Sequence, residues 1–170
     1  MKKKSLIAIL TAALLLTGCS GGNSGSSDAQ SGGSQPNASQ TTEASAKTAA
    51  EKAAAMLAEI KFGGEMVPVD GESMEFRLGF SADGLTDYAA YTCGSGAYPD
   101  EFGIFTADTE DRAKEIKSAL EKRIETQKDT YRDYTPEEMY KFDDCFVTVK
   151  GTTVIYSVTA DNSTAADILG

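Results

Sequence analysis

Between Ser20 and Ser45 the chain carries no aromatic and no large aliphatic side chain; Ser, Gly, Gln, Asn, Thr and Ala dominate, with a single proline at Pro36. Nothing in such a stretch offsets the conformational entropy lost on ordering, so a flexible spacer is expected there. Any core is then confined to about 125 residues from Ala46 onward, room for one domain and not two. As a coil spanning about 5–6 Å × √n, the 26-residue spacer reaches roughly 25–30 Å.

Ahead of the spacer, residues 1–18 have the order of a signal peptide. Lys2, Lys3 and Lys4 give a positive start, and Leu6 through Leu16 follow as an apolar run broken only by Thr11. That run is too short for a membrane span, which needs roughly 20 residues in a helix. It ends in Leu16-Thr17-Gly18-Cys19, which resembles the lipobox of bacterial lipoproteins. The resemblance implies a diacylglyceryl group on the Cys19 sulfur, cleavage before Cys19 and a mature chain of 152 residues. Two or more acyl chains give a stable anchor where one gives only a marginal hold. The expected location is the outer side of the cell membrane, with residues 19–45 as tether and 46–170 as the folded part.

The formal charge of −10 becomes about −13 once the three lysines are removed. Such a surface repels nucleic-acid phosphates and anionic head groups. No nucleic-acid partner is expected, and contact with the bilayer is expected through the lipid alone.

Within the folded part, Ala46 to Ile60 predicts a helix, with Ala53, Met56, Leu57 and Ile60 forming one apolar stripe and Gly63-Gly64 ending it. Met66 to Phe80 is ambiguous between an alternating strand and a short helix. Thr86–Thr92 and Glu101–Thr106 predict an antiparallel hairpin across the Gly94 to Asp100 turn region. Asp108 with Asp111 suits an N-cap and N3 pair for a helix running to about Tyr131. The inner face of that helix reads Ala113, Ile116, Leu120, Ile124, Gln127 and Tyr131, with i,i+4 pairs Asp108–Arg112 and Glu110–Lys114 on the wet side. Thr135-Pro136-Glu137-Glu138 has the form of a capping box before a short helix. Cys145–Lys150 and Thr153–Ala160 predict a second hairpin around Gly151-Thr152, and Asn162–Leu169 a last helix. The fold class expected is α+β: a single antiparallel sheet, β-β-α-β-β after an N-terminal helix, with the long helix packed on one face.

The sequence has no histidine, which removes Ser-His-Asp and Cys-His machinery and the commonest zinc ligand. It also lacks a dinucleotide fingerprint, a Walker A loop and an EF-hand loop, so no cofactor, metal or catalytic residue is assigned. Cys93 and Cys145 lie in strand-like segments of an exported chain. They fit a disulfide closing a 53-residue loop, worth roughly 4 kcal/mol by chain entropy; inert core thiols or a reactive thiol are the other readings. The acid pairs Asp100-Glu101, Glu137-Glu138 and Asp143-Asp144 suit caps and solvated turns, since neighbours in sequence point apart. Seven tyrosines, Tyr88, Tyr91, Tyr98, Tyr131, Tyr134, Tyr140 and Tyr156, divide between core and a binding surface.

Asp100-Glu101-Phe102-Gly103-Ile104-Phe105, the charged helix with Arg123 and Gln127, Tyr134-Thr135-Pro136-Glu137 and the Cys145 to Asp161 hairpin together resemble the DUF4358 family of Firmicutes lipoproteins. The likeness covers roughly Ala46 to Gly170 and is strongest from Asp100 onward; Cys93 and Cys145 depart from it. That family carries no assigned activity, so the resemblance implies no catalytic residue. The expected function is that of a noncatalytic, membrane-anchored binding or envelope-associated module for a peptide, a glycan or another envelope protein. The alternative is a carboxylate-dependent hydrolase of a cell-wall or extracellular substrate, which would need two carboxylates about 5–9 Å apart in a cleft.

Overall fold

The computed structural model describes residues 47–170; the expected signal peptide, Cys19, the expected tether and Ala46 lie outside the described residues. The folded part is organised around a central strand that is apolar on both faces. β3 (Glu101–Ala107) is buried at every position except Thr106, because it lies in the middle of a five-stranded antiparallel sheet of order β1-β2-β3-β5-β4. Its neighbours are β2 (Leu85–Cys93) and β5 (Thr153–Val158), while β1 (Met66–Pro68) and β4 (Phe146–Lys150) form the edges.

Side-chain alternation along β3 sends Phe102 and Ile104 to one face and Phe105 and Ala107 to the other. Against the first face pack α1 (Ala49–Glu59), through Ala53 and Met56, and α4 (Asn162–Leu169), through Ala165 and Leu169. Against the second pack α2 (Met74–Leu78) and the 25-residue α3 (Glu110–Tyr134), the latter through Ala113, Ile116 and Leu120. Further along α3, Ile124 and Tyr131 join Phe142 and Val158. The long helix does cover one face, as its periodicity requires. The other face is covered as well, so the domain has three layers. Gly103 stands opposite Tyr156 in the register; a Cβ there would come within 2.8 Å of the Phe105 and Tyr156 rings, so only glycine lets these two aromatics stack across it.

Several boundaries differ from the sequence expectation for identifiable reasons. α1 starts at Ala49, three residues later than expected, because Thr48 and Glu51 form a reciprocal capping box. The ambiguous Met66 to Phe80 segment divides into edge strand β1 and helix α2, so the sheet has five strands rather than four; Pro68 is tolerated because β1 pairs only with β2. The N-cap of α3 is Thr109, whose side chain accepts from Arg112 N, and not Asp108. In the first turns of α3 the ion pairs form at i,i+3, Lys114 with Asp111 and Arg112 with Glu115, instead of the expected i,i+4 pairs Asp108–Arg112 and Glu110–Lys114. At Thr135 no side-chain cap forms; Pro136–Phe142 is a 3₁₀ helix, which follows α3 directly. Cys145 precedes β4, and β5 ends at Val158 rather than Ala160. α4 spans the residues expected.

Candidate functional site

Asp100 and Glu101 sit where the connection from β2 enters β3, and strand alternation turns them to opposite sides. Both are about 1 % exposed, which overturns the expectation of a solvated turn. A buried carboxylate must be paired to be tolerated, and each acid has its own cation. Glu101 receives Arg123 Nε at 3.0 and 2.9 Å on its two oxygens and Nη2 at 2.7 Å, with Gln127 Nε2 at 3.2 Å. Arg123 and Gln127 lie one turn apart on α3, which is why a single helix supplies both donors. Asp100 Oδ2 receives Lys141 Nζ at 2.7 Å and the Gly63 amide at 3.1 Å. A side chain on Gly63 would strike the Tyr98 ring at 2.5 Å, so this close approach of backbone to carboxylate requires glycine.

Lys141 is itself 3 % exposed. Its ammonium lies 2.7 Å from Glu138 as well, between the rings of Tyr98 and Tyr140 at 5.3 and 5.9 Å. Asn162, at the start of α4, holds the Lys141 carbonyl through Nδ2 at 3.0 Å, while its Oδ1 accepts from Ser157 Oγ and Thr159 N. Burial pushes the Glu101 carboxyl up, against the opposing pull of Arg123 and Gln127. Burial works against the Lys141 ammonium, yet Asp100 and Glu138 hold it above its ordinary value. Burial, with the Glu101 charge nearby, raises the Tyr156 phenol well above its usual range.

Beside these pairs, where the ends of β2 and β3 meet α3, lies a cavity of about 150 Å³ whose wall includes Arg77, Thr92, Tyr98, Asp100, Glu101 and Gln127. It adjoins an open groove of about 340 Å³ between α2 and α3; Arg77, Arg123 and Gln127 border both, and Phe76, Leu78, Ala119 and Lys122 complete much of the groove wall. Phe76 is 93 % exposed. Arg77 donates through Nη1 to Thr92 Oγ1 at 2.9 Å, and among the described residues no carboxylate lies within ion-pair distance of it. Two buried acceptors on the cavity residues, Asp100 Oδ1 and Gln127 Oε1, have no donor.

The other residues singled out in the sequence scatter. Asp143, Asp144 and Glu137 are exposed, and Glu138 serves Lys141. Of the tyrosines, Tyr131 and Tyr156 are core, Tyr88, Tyr91 and Tyr98 are half-buried, and Tyr134 and Tyr140 are exposed; only Tyr98 and Tyr131 border the cavity. Cys93 and Cys145 are free thiols. Cys93 ends β2 and Cys145 leads into β4, three inter-strand spacings away, about 14 Å, whereas a disulfide needs Cα atoms within about 7 Å. The expected bridge is therefore not formed. Burial raises the Cys145 thiol, the reverse of what a nucleophilic cysteine needs. Arg77 and Lys141 carried no sequence signal beyond their charge. Gln127 did, since a polar residue on the inner face of an amphipathic helix has to meet a buried partner; Arg123 stood out only through the family resemblance.

No curated protein and no solved structure matches this chain. A family model does, over residues 58–159, from the end of α1 to just past β5. Its matched span holds all five strands, both buried ion pairs and the cavity between them, and the chain belongs to this family, Domain of unknown function (DUF4358).

Proposed function

We propose that this protein is a lipid-anchored extracytoplasmic lipoprotein whose folded part is a noncatalytic binding module. The anchor rests on the order of Lys2–Lys4, the Leu6–Leu16 run and Leu16-Thr17-Gly18-Cys19. Among the described residues no helix is long and apolar enough to cross a membrane. The observation that carries the binding reading is Arg77: a half-buried cation with no carboxylate within ion-pair distance among the described residues, at the junction of a small polar cavity and an open groove rimmed by the exposed Phe76. A chain of net charge −10 whose described residues leave such a cation without a direct ion pair at a concave surface has the makings of a ligand site. The hydrolase reading draws less support, because each carboxylate at the cavity is bound to an internal cation and neither is free to move a proton to a substrate.

The anchor is tested by growing cells that express the full chain with an alkyne-bearing fatty acid. Wild-type protein takes up the label and sediments with membranes, and Cys19→Ser does neither; an unlabelled wild-type protein in the cytosol overturns the proposal.

A further inference from the structure

In a chain of net charge −10, the groove between α2 and α3 has a wall that includes Arg77, Lys122 and Arg123 and no aspartate or glutamate. Arg123 is balanced by Glu101, so the charge in excess belongs to Arg77 and Lys122. Every other lysine and arginine of α3 is in an ion pair, whereas among the described residues Lys122 is in none. Arg77 commits Nη1 to Thr92, and among the described residues its Nε and Nη2 make no hydrogen bond. Asp70, whose carboxyl is held low chiefly by the Ser73 hydroxyl and amide, also feels the Arg77 charge but stays beyond ion-pair distance of it. The same wall carries Leu78, Ala119 and Phe76, whose ring is almost wholly in water. A lone exposed phenylalanine is ordinary; one on a concave surface with two unpaired cations gives the groove an apolar and a cationic contact together.

We propose that this groove binds an acidic linear segment of a partner protein, its carboxylates on Arg77 and Lys122 and one large apolar side chain against Phe76, Leu78 and Ala119. A small anion would use Arg77 and leave Phe76 wet. An anionic bilayer or a long polyanion would meet the groove together with the rest of this acidic chain's surface and be repelled. A short segment is different: charges beyond a Debye length of about 8 Å are screened at physiological ionic strength, so it senses the local excess of Arg77 and Lys122. The free Nε and Nη2 of Arg77 suit a carboxylate with two parallel bonds, which a lysine cannot offer, and covering Phe76 supplies the apolar part. The stretch from Ser20 to Ser45 contributes only Asp28 and Glu43 and no large apolar residue, so the occupant comes from another protein. The inference rests on the binding reading above and names its partner class.

A phage-displayed library of random linear peptides, panned against the full-length protein in detergent, tests it. Enriched sequences are expected to carry several carboxylates around a large apolar residue. A synthetic peptide of that consensus, followed by fluorescence anisotropy, is expected to bind less tightly as salt rises. It should bind about threefold less tightly to Lys122→Ala and about tenfold less tightly to Arg77→Met, and Lys122→Glu should weaken it further than Lys122→Ala, with circular dichroism unchanged throughout. Lys122 is exposed, and Arg77 is half-buried and outside the buried ion pairs, so these variants test the groove without threatening the core. Enrichment of neutral or basic sequences, or of acidic ones indifferent to both substitutions, overturns the acidic segment. Displacement of the peptide by soluble dihexanoylphosphatidylglycerol at equal concentration does the same, since it puts an anionic lipid in the groove. Arg77-dependent retention of a glycan from a panel of cell-wall fragments, with no peptide enriched, leaves a binding module and overturns its partner class. No peptide enriched and no glycan retained overturns both the partner class and the binding reading.

Discussion

Asp100 and Glu101 are adjacent in the chain and share no partner. Each is held by a cation more than twenty residues away in sequence, Lys141 in one case and Arg123 in the other. Removing one member of a buried pair leaves an uncompensated charge, whereas removing both leaves only a packing change. Lys141→Met is therefore expected to cost about 3–5 kcal/mol in urea unfolding, and Asp100→Asn combined with Lys141→Met is expected to regain part of that loss. A double variant as unstable as the sum of the two single ones would show that the two groups do not interact. The acid pair was visible in the sequence, but its burial was not, because burial comes from tertiary neighbours that two acidic letters do not encode. Gln127 on the inner stripe of α3 was the one legible hint that a polar group waited inside.

The elements themselves were largely readable where one periodicity ran long enough to outvote its ends. The α3 stripe of Ala113, Ile116, Leu120, Ile124 and Tyr131 is buried as expected, and the alternation on β5 sends Val154 and Tyr156 to the α3 side and Ile155 to the other. Ends were harder. Asp108 and Thr109 are both good caps, and only the geometry of the turn leaving β3 selects Thr109. Two caps carry a pH dependence. Glu51 lies below its ordinary value of 4.5 because the Thr48 amide and hydroxyl donate to it, and Asp161 lies below 3.8 because the Thr164 amide and hydroxyl do the same, with Ser163 adding to it. A depressed carboxyl pKa contributes stability that is complete above the unfolded value and lost as the pH falls through the folded one. Amide hydrogen exchange at Thr48 and Thr164, whose amides donate to Glu51 and Asp161, corrected for its intrinsic pH dependence, is expected to lose protection as acid protonates the two carboxylates, and in Asp161→Ala the Thr164 amide is expected to be unprotected already at neutral pH. Protection at Thr164 unchanged in that variant would mean the cap contributes nothing to α4.

At the scale of the whole molecule, strand order governs what the cysteines can do. With β3 and β5 between β2 and β4, Cys93 and Cys145 are kept apart, so two titratable thiols are expected per molecule after denaturation without reductant in lipid-modified protein, where Cys19 is a thioether. No titratable thiol there would require a bridge incompatible with this sheet. Residue types and their spacing by themselves determined that the residues after Ser45 hold an α+β fold and that a long helix lies along an antiparallel sheet, because composition and periodicity are local properties of a chain. The edge strand β1, the second helical layer, the inward turn of Asp100 and Glu101, and the meeting of Arg77 with Gln127 at one cavity were decided only in three dimensions. Each of these depends on which surfaces remain unburied after the local elements have formed, and that is settled by packing between segments distant in sequence.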